Sequence, residues 1–260
     1  MKFFDSHCHL QDKRIIKDIG TTIEKWHSIG GKYLVCCGTN ENDWKDVLKI
    51  SEKYDFVIPC FGIHPWFITK ASDKWQTSLE LYLNRVKSGI GEIGLDFTLK
   101  KSNPLLQEKI FKTQLELAKE KELPVSIHIR KAWDPFIHIL KHMGEVPAGG
   151  LIHSYSGSAD MIPLFEKYGL YISFSGSITN QNNRKVRQAL QKVSLNRVLI
   201  ETDSPDIIPK IPRLANSKIN KPENLFFIAK SGAEITGLSI NKFTQNTYNN
   251  GKRLFNTILT

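Results

Sequence analysis

The chain opens with two histidines one residue apart, in His7-Cys8-His9, and further metal-ligand types recur far downstream at Glu92, His128, His153 and Asp203. Imidazoles and carboxylates are the ligands of borderline divalent cations, although a lone His-x-His pair often arises by chance. The wider set weighs more because its members sit in or directly after short apolar runs: Val-Ser-Ile-His128, Gly-Leu-Ile-His153 and Val-Leu-Ile-Glu-Thr-Asp203. Glu92 interrupts the run Gly91-Glu92-Ile93-Gly94-Leu95-Asp96, where an unpaired buried carboxylate would be costly. A cation removes that cost, and two carboxylate oxygens can bridge a pair of ions about 3.5–4 Å apart. Asp203 precedes Ser204-Pro205, where a loop begins. It can bind metal and also take a proton from an attacking water, which makes Glu92 and Asp203 the candidate catalytic carboxylates.

Such residues converge only if the backbone brings the ends of several runs together. The apolar runs are Phe3 to His9, Tyr33 to Gly38, Val57 to Ile63, Ile90 to Leu95, Val125 to Ile129, Leu151 to His153, Leu170 to Phe174 and Val198 to Ile200, each followed by a stretch with helical spacing. Helices are expected over Asn42 to Tyr54 and Leu105 to Lys121, where apolar residues recur with the period of a helix face. Near-continuous apolar strands alternating with helices indicate a parallel sheet buried on both faces, and eight units suit an α/β (β/α)8 TIM barrel. An open doubly wound sheet is the alternative. The stretch from Asn241 to Phe255 is an additional C-terminal helix closing the barrel, and with no linker or low-complexity segment the 260 residues are expected to form one domain. In a barrel of this kind, functional residues gather at the carboxyl ends of the strands. Side chains two apart on a strand share a face, so His7 and His9 point into the mouth while Cys8 turns outward.

With 36 Lys and Arg against 26 Asp and Glu, the net charge of +10 favours a polyanionic partner, although Lys, Ile and Asn enrichment explains it equally well. Cys8, Cys36, Cys37 and Cys60 show no paired Cys-x-x-Cys spacing and are expected to be buried free thiols. Neither a signal-length apolar stretch nor a membrane-length one occurs, which places the protein in a reducing cytoplasm with no membrane partner. Glu201, two residues before Asp203, is expected to be structural. His138 and His142 lie four apart on a helix of the outer ring, and with His27 they are expected to be surface or packing residues. The spacing Gly91-x-x-Gly94 is too short for a phosphate loop.

The motifs Phe4-Asp5-Ser6-His7-Cys8-His9, Gly62-Ile63-His64-Pro65, Gly91-Glu92-Ile93-Gly94-Leu95-Asp96, His128-Ile129-Arg130, His153-Ser154-Tyr155-Ser156-Gly157, Ser173-Phe174-Ser175-Gly176, Glu201-Thr202-Asp203-Ser204-Pro205 and Asn220-Lys221-Pro222 span nearly the whole chain. In these the sequence resembles the TatD family of metal-dependent deoxyribonucleases, a branch of the amidohydrolase-like TIM barrels. The resemblance implies a two-metal phosphodiesterase. His7, His9, Glu92 and Asp203 would surround one ion, and Glu92, His128 and His153 the other. It further implies exonuclease action on DNA, often at a 3′ end, with His64 and Arg130 approaching the scissile phosphate and Asp96 supporting a ligand histidine. Four imidazoles favour zinc, manganese, cobalt or nickel, and the bridging carboxylate leaves magnesium open.

Two positions depart from the family pattern: Trp66, where many relatives carry histidine, and Asn216-Ser217-Lys218-Ile219, where many carry Arg-Gly-Lys. Trp66 offers a stacking face for an unpaired base. Lys100, Lys101, Lys131, Arg184, Lys185, Lys210, Arg213 and Lys218 fall on strand-to-helix loops and would guide a single strand or a strand end electrostatically. Two rival readings share these residues: an amidohydrolase opening a cyclic amide, lactone or amidine, and a non-catalytic nucleic-acid-binding protein.

Overall fold

In the computed structural model, which describes residues 1–98 and 103–259, the eight expected runs form one parallel sheet ordered β1 to β8. The strands are β1 (Phe3–Cys8), β2 (Gly31–Cys37), β3 (Val57–Phe61), β4 (Gly89–Asp96), β5 (Val125–Arg130), β6 (Gly150–Ile152), β7 (Leu170–Phe174) and β8 (Val198–Ile200). Helices alternate with them, and the fold is a (β/α)8 barrel.

Local signals account for where the helices start. Asn40 caps the helix Glu41–Lys53 by accepting from the Asn42 amide, while Asp43 accepts back from the Asn40 amide. Asn103 caps Pro104–Glu120, and Pro104 sits in the first turn, where its missing N–H is no loss. Both helices lie within a residue or so of their expected bounds.

Strand alternation divides the core in two. Leu34, Cys36, Phe61 and Ile93 pack outward against helix residues such as Trp44, Val47 and Leu79. Their neighbours Val35, Cys37, Ile58 and Cys60 point inward and pack with Leu151, Tyr171 and Leu199. The expected carboxyl-terminal helix runs over Ile240–Leu254, and Leu254 and Phe255 join this inner layer, closing one end. All four cysteines are free and buried, as the sequence implied. Among the described residues, no helix is long and apolar enough to cross a membrane.

The seam between β8 and β1 is built differently from the other strand pairs, which all form ladders. There the Asp203 amide donates to the His7 carbonyl (3.0 Å) and the His9 amide to Ser204 (2.7 Å). Below them Ser6 Oγ donates to the Ile200 carbonyl (3.1 Å), and Asp5 accepts from the Thr202 amide (2.9 Å) and hydroxyl (2.5 Å). Burial pushes the Asp5 carboxyl up to about 8 against these donors. Side chains therefore satisfy backbone groups that a ladder would otherwise pair.

Candidate metal centre

The expected ligands converge at the carboxyl ends of the strands. Glu92 and His128 lie within β4 and β5; His9 and His153 follow β1 and β6 directly, and His64 and Asp203 stand three residues beyond β3 and β8. Three residues just past strands hold positive φ: Lys131 (52°), Ser154 (41°) and Asp203 (52°). Such angles are uncommon for residues with a side chain and mark a backbone constrained by its surroundings. Gly94 permits the close approach of β4 to β5, since a Cβ there would meet the His128 carbonyl oxygen at 1.9 Å.

Glu92, 3% exposed, is the hub. Its Oε2 faces His7 Nε2 (3.3 Å) and His9 Nε2 (3.4 Å), and Asp203 Oδ1 lies 3.8 and 3.5 Å from the same two nitrogens. Its Oε1 faces His128 Nδ1 (2.8 Å), His153 Nε2 (2.9 Å) and His64 Nε2 (3.1 Å). The rings of His7 and His153 stack at 4.1 Å, so the two groups abut. Among the described residues, His7, His9 and Glu92, then His7, His153 and Asp203, then His64, Glu92 and His128 each bring ligand atoms within 4.8 Å of one another.

Hydrogen bonds on the far side of each ring fix which nitrogen faces the centre. His9 Nδ1 donates to the Cys37 carbonyl (2.8 Å), and His153 Nδ1 to Glu201 Oε1 (3.2 Å), leaving Nε2 of both inward. His128 is reversed: Nε2 donates to Asp96 Oδ2 (3.3 Å), so Nδ1 faces Glu92. His64 differs in kind. Its Nδ1 accepts from the Trp66 amide (3.1 Å), so the neutral ring carries its proton on Nε2 and is a donor, not a ligand, toward Glu92.

Electrostatics fit a cation. Burial opposes charge on Glu92, yet His64, His153, His7 and the contact with His128 hold its carboxyl well below the usual range. Burial lowers His7 and His64 to about 4. It also opposes charge on His9 and His153, but Asp203 and Glu92 at the first ring, and Glu92 and Glu201 at the second, raise both well above the usual value. Inward nitrogens crowd together, with His128 Nδ1 2.9 Å from His153 Nε2 and His7 Nε2 3.3 Å from His9 Nε2. Facing lone pairs repel unless a proton or a cation lies between them, and metal binding exchanges one for the other.

Glu201 is fully buried, as a structural residue would be, but its carboxylate touches the centre: Oε1 accepts from His153 Nδ1 and the Ser154 amide (2.7 Å), while Oε2 has no hydrogen-bond partner among the described residues. The same-face spacing to Asp203 was the available signal for this role. Asp96 supports His128 and also accepts from Thr98 (amide 2.8 Å, hydroxyl 2.5 Å) and from Trp66 Nε1 (2.8 Å). Burial works against its charge, and these donors outweigh it, holding its carboxyl well below the usual range. Trp66, half exposed, thus spends its indole N–H on the residue that orients His128. Trp66→Phe keeps an aromatic face and removes that donor. It is expected to raise the metal concentration for half-maximal activity about tenfold, the low end for loss of an orienting partner, as measured by metal titration of the stripped protein.

Arg130, at the exposed end of β5, has no ion-pair partner among the described residues and shares the face of His128. Lys131, Arg184, Lys185, Lys210, Arg213 and Lys218 are exposed, with Arg213 over the Phe227 ring at 5.7 Å; Lys100 and Lys101 lie outside the described residues. His138 and His142 are exposed on the helix Trp133–Met143, apart from the centre, and His27 contacts the Gly31 carbonyl and the Phe56 ring.

A barrel whose strand ends gather imidazoles and carboxylates around a buried glutamate defines a metal-dependent hydrolase. The chain belongs to the TatD-related DNase family, whose model matches residues 4–256. It is 32% identical over 256 residues to an uncharacterized metal-dependent hydrolase of Bacillus subtilis, YabD, covering 97% of this chain and 98% of that one. It is 28% identical over 225 residues to the 3'-5' ssDNA/RNA exonuclease TatD of Salmonella typhimurium, covering 85% and 86%. The crystal structure of YjjV, a TatD homolog from Escherichia coli, superposes with a TM-score of 0.92 at 29% identity, covering 98% of both chains.

Proposed function

We propose that the protein hydrolyses phosphodiester bonds of DNA from a strand end, as a 3′ exodeoxyribonuclease acting on single strands, with two divalent ions. His7, His9, Glu92 and Asp203 would hold one ion, and Glu92, His128 and His153 the other. The observation that carries this reading is Glu92, whose two oxygens face the two ligand groups separately. Four buried carboxylates, those of Glu92, Asp96, Glu201 and Asp203, also favour more than one divalent charge. Zinc and manganese suit the imidazole-rich donor set, and magnesium suits the carboxylates. When bound, such ions acidify water and neutralise phosphate oxygens.

The remaining work falls to the side chains. Asp203, at the rim and 8% exposed, accepts a proton from the attacking water as the new oxygen–phosphorus bond forms and the bond to the leaving sugar oxygen breaks, that oxygen taking a proton from solvent. The Arg130 guanidinium, through its planar fork, and His64 Nε2–H, which faces Glu92 Oε1 at 3.1 Å and must turn from it, would be the donors for non-bridging phosphate oxygens. Arg130 and the surrounding lysines favour a phosphate over a cyclic amide or lactone.

The test is a 5′-labelled single strand and its RNA counterpart, incubated with metal-loaded and chelator-stripped protein beside a cyclic amide. Stepwise shortening of the DNA from its unlabelled 3′ end, abolished by chelator and restored by metal, is the expected result. Hydrolysis of the amide alone, or shortening indifferent to metal, would remove the nuclease reading.

A further inference from the structure

Beside the metal centre, the loops after β7 and β8 border an open cavity of about 470 Å³ lined by Gly176, Ser177, Asn180, Asn183, Pro205 to Ile208, Lys210 and Lys218. Its shape is built in. Gly176 lets the loop after β8 close against the chain after β7, since a Cβ there would meet the Ile207 carbonyl oxygen at 2.3 Å. Asn220 Nδ2 donates to the carbonyls of Thr202 (2.7 Å) and Ile207 (3.3 Å), and the Lys210 amide donates to Thr179 Oγ1 (2.7 Å). Ile207 is held at φ 44°, a genuine outlier for a β-branched residue, and is partly exposed at the wall.

The lining is divided by chemistry. Pro205, Ile207 and Ile208 give an apolar side, and Ser177, Asn180 and Asn183 offer hydroxyl and amide groups. The ammonium groups of Lys210 and Lys218 have no hydrogen-bond or ion-pair partner among the described residues. Asp206, the one acidic residue of the lining, is held from outside by Arg14 in two hydrogen bonds (2.9 and 3.1 Å). An apolar side, amide groups able to meet a base edge and two cations unpaired among the described residues match a nucleoside phosphate, and the volume lies within the range of small-ligand sites. The wall begins at Pro205, two residues after Asp203, so the cavity and the centre share one loop.

We infer that this cavity binds the nucleotide next to the one being cut, with Lys210 and Lys218 on its phosphate and Ile207 against its base or sugar. The inference rests on the nuclease reading above, and it makes substrate length a determinant of efficiency. The test compares a short oligothymidylate with bis(p-nitrophenyl) phosphate, which has no neighbouring nucleotide. In Lys210→Ala/Lys218→Ala, the ratio of kcat/KM for the oligonucleotide to that for the aryl diester is expected to fall about tenfold. The salt dependence of KM for the oligonucleotide should weaken by about 0.7 in log–log slope for each phosphate no longer neutralised by a lysine. Asn180→Ala/Asn183→Ala should lower the same ratio with the salt slope intact. An unchanged ratio in both variants would overturn the inference. Should the wild-type protein cleave neither substrate, the nuclease reading falls, and the cavity is then judged by calorimetric titration with a thymidine dinucleotide. Binding that disappears in the lysine variant supports the subsite, whereas no binding, or binding indifferent to the substitutions, overturns it.

Discussion

Glu92→Ala is expected to lower kcat on a single-stranded substrate by about a thousandfold, a loss of about 4 kcal/mol of transition-state stabilisation. The substitution removes both oxygens that face the two histidine groups at once. It strands five inward imidazole nitrogens without the carboxylate at 2.8 to 3.4 Å that now balances them. Glu92→Gln keeps the volume and should lose nearly as much, because an amide offers one weak ligand oxygen where the carboxylate offers two charged ones. Elemental analysis of the purified variants should show at most half the metal of the wild type, with an unaltered far-ultraviolet circular dichroism spectrum. Activity within tenfold of wild type at full metal content would remove Glu92 from the centre of the mechanism.

Asp203→Asn should cost on the order of a hundredfold to ten-thousandfold in kcat, the range over which a positioned general base contributes. The exchange is nearly isosteric, and the Asp203 amide stays bonded to the His7 carbonyl, so the seam is left in place. Two readouts separate loss of a base from loss of a ligand. A missing base makes the rate climb with pH, since hydroxide from solution replaces the deprotonated water. A missing ligand is corrected by raising the metal concentration. A flat pH profile with full rescue by metal would reduce Asp203 to a ligand alone.

The outline of this centre was legible because it depends on period and position. Eight apolar runs alternating with helical stretches prescribe the barrel, and in a barrel the residues ending His7-Cys8-His9 and Gly-Leu-Ile-His153 have one rim to share. Orientation was not legible. That His128 faces inward through Nδ1 follows from Asp96 thirty-two residues away, and the proton on His64 Nε2 follows from the Trp66 amide. Glu201 reaches His153 across a neighbouring strand end. Trp66 had signalled a stacking face, but its indole N–H proved to be tied to Asp96, a contact with no sequence period to announce it. The cavity rests on Gly176 meeting Ile207 and on Asn220 bracing the loop, contacts between segments that local propensity does not connect.

The seam between the last strand and the first would give a metal bound there a second role. His7 and His9 stand on one side of that joint and Asp203 on the other, with most of the polypeptide between them in sequence. An ion held by all three would be a reversible cross-link that turns the chain into one very long closed loop. The entropy removed from an unfolded chain by such a link grows with the loop it encloses. Such ligands would sit where a staple does the most, and an ion bound for hydrolysis would also fasten the first strand of the barrel to its last.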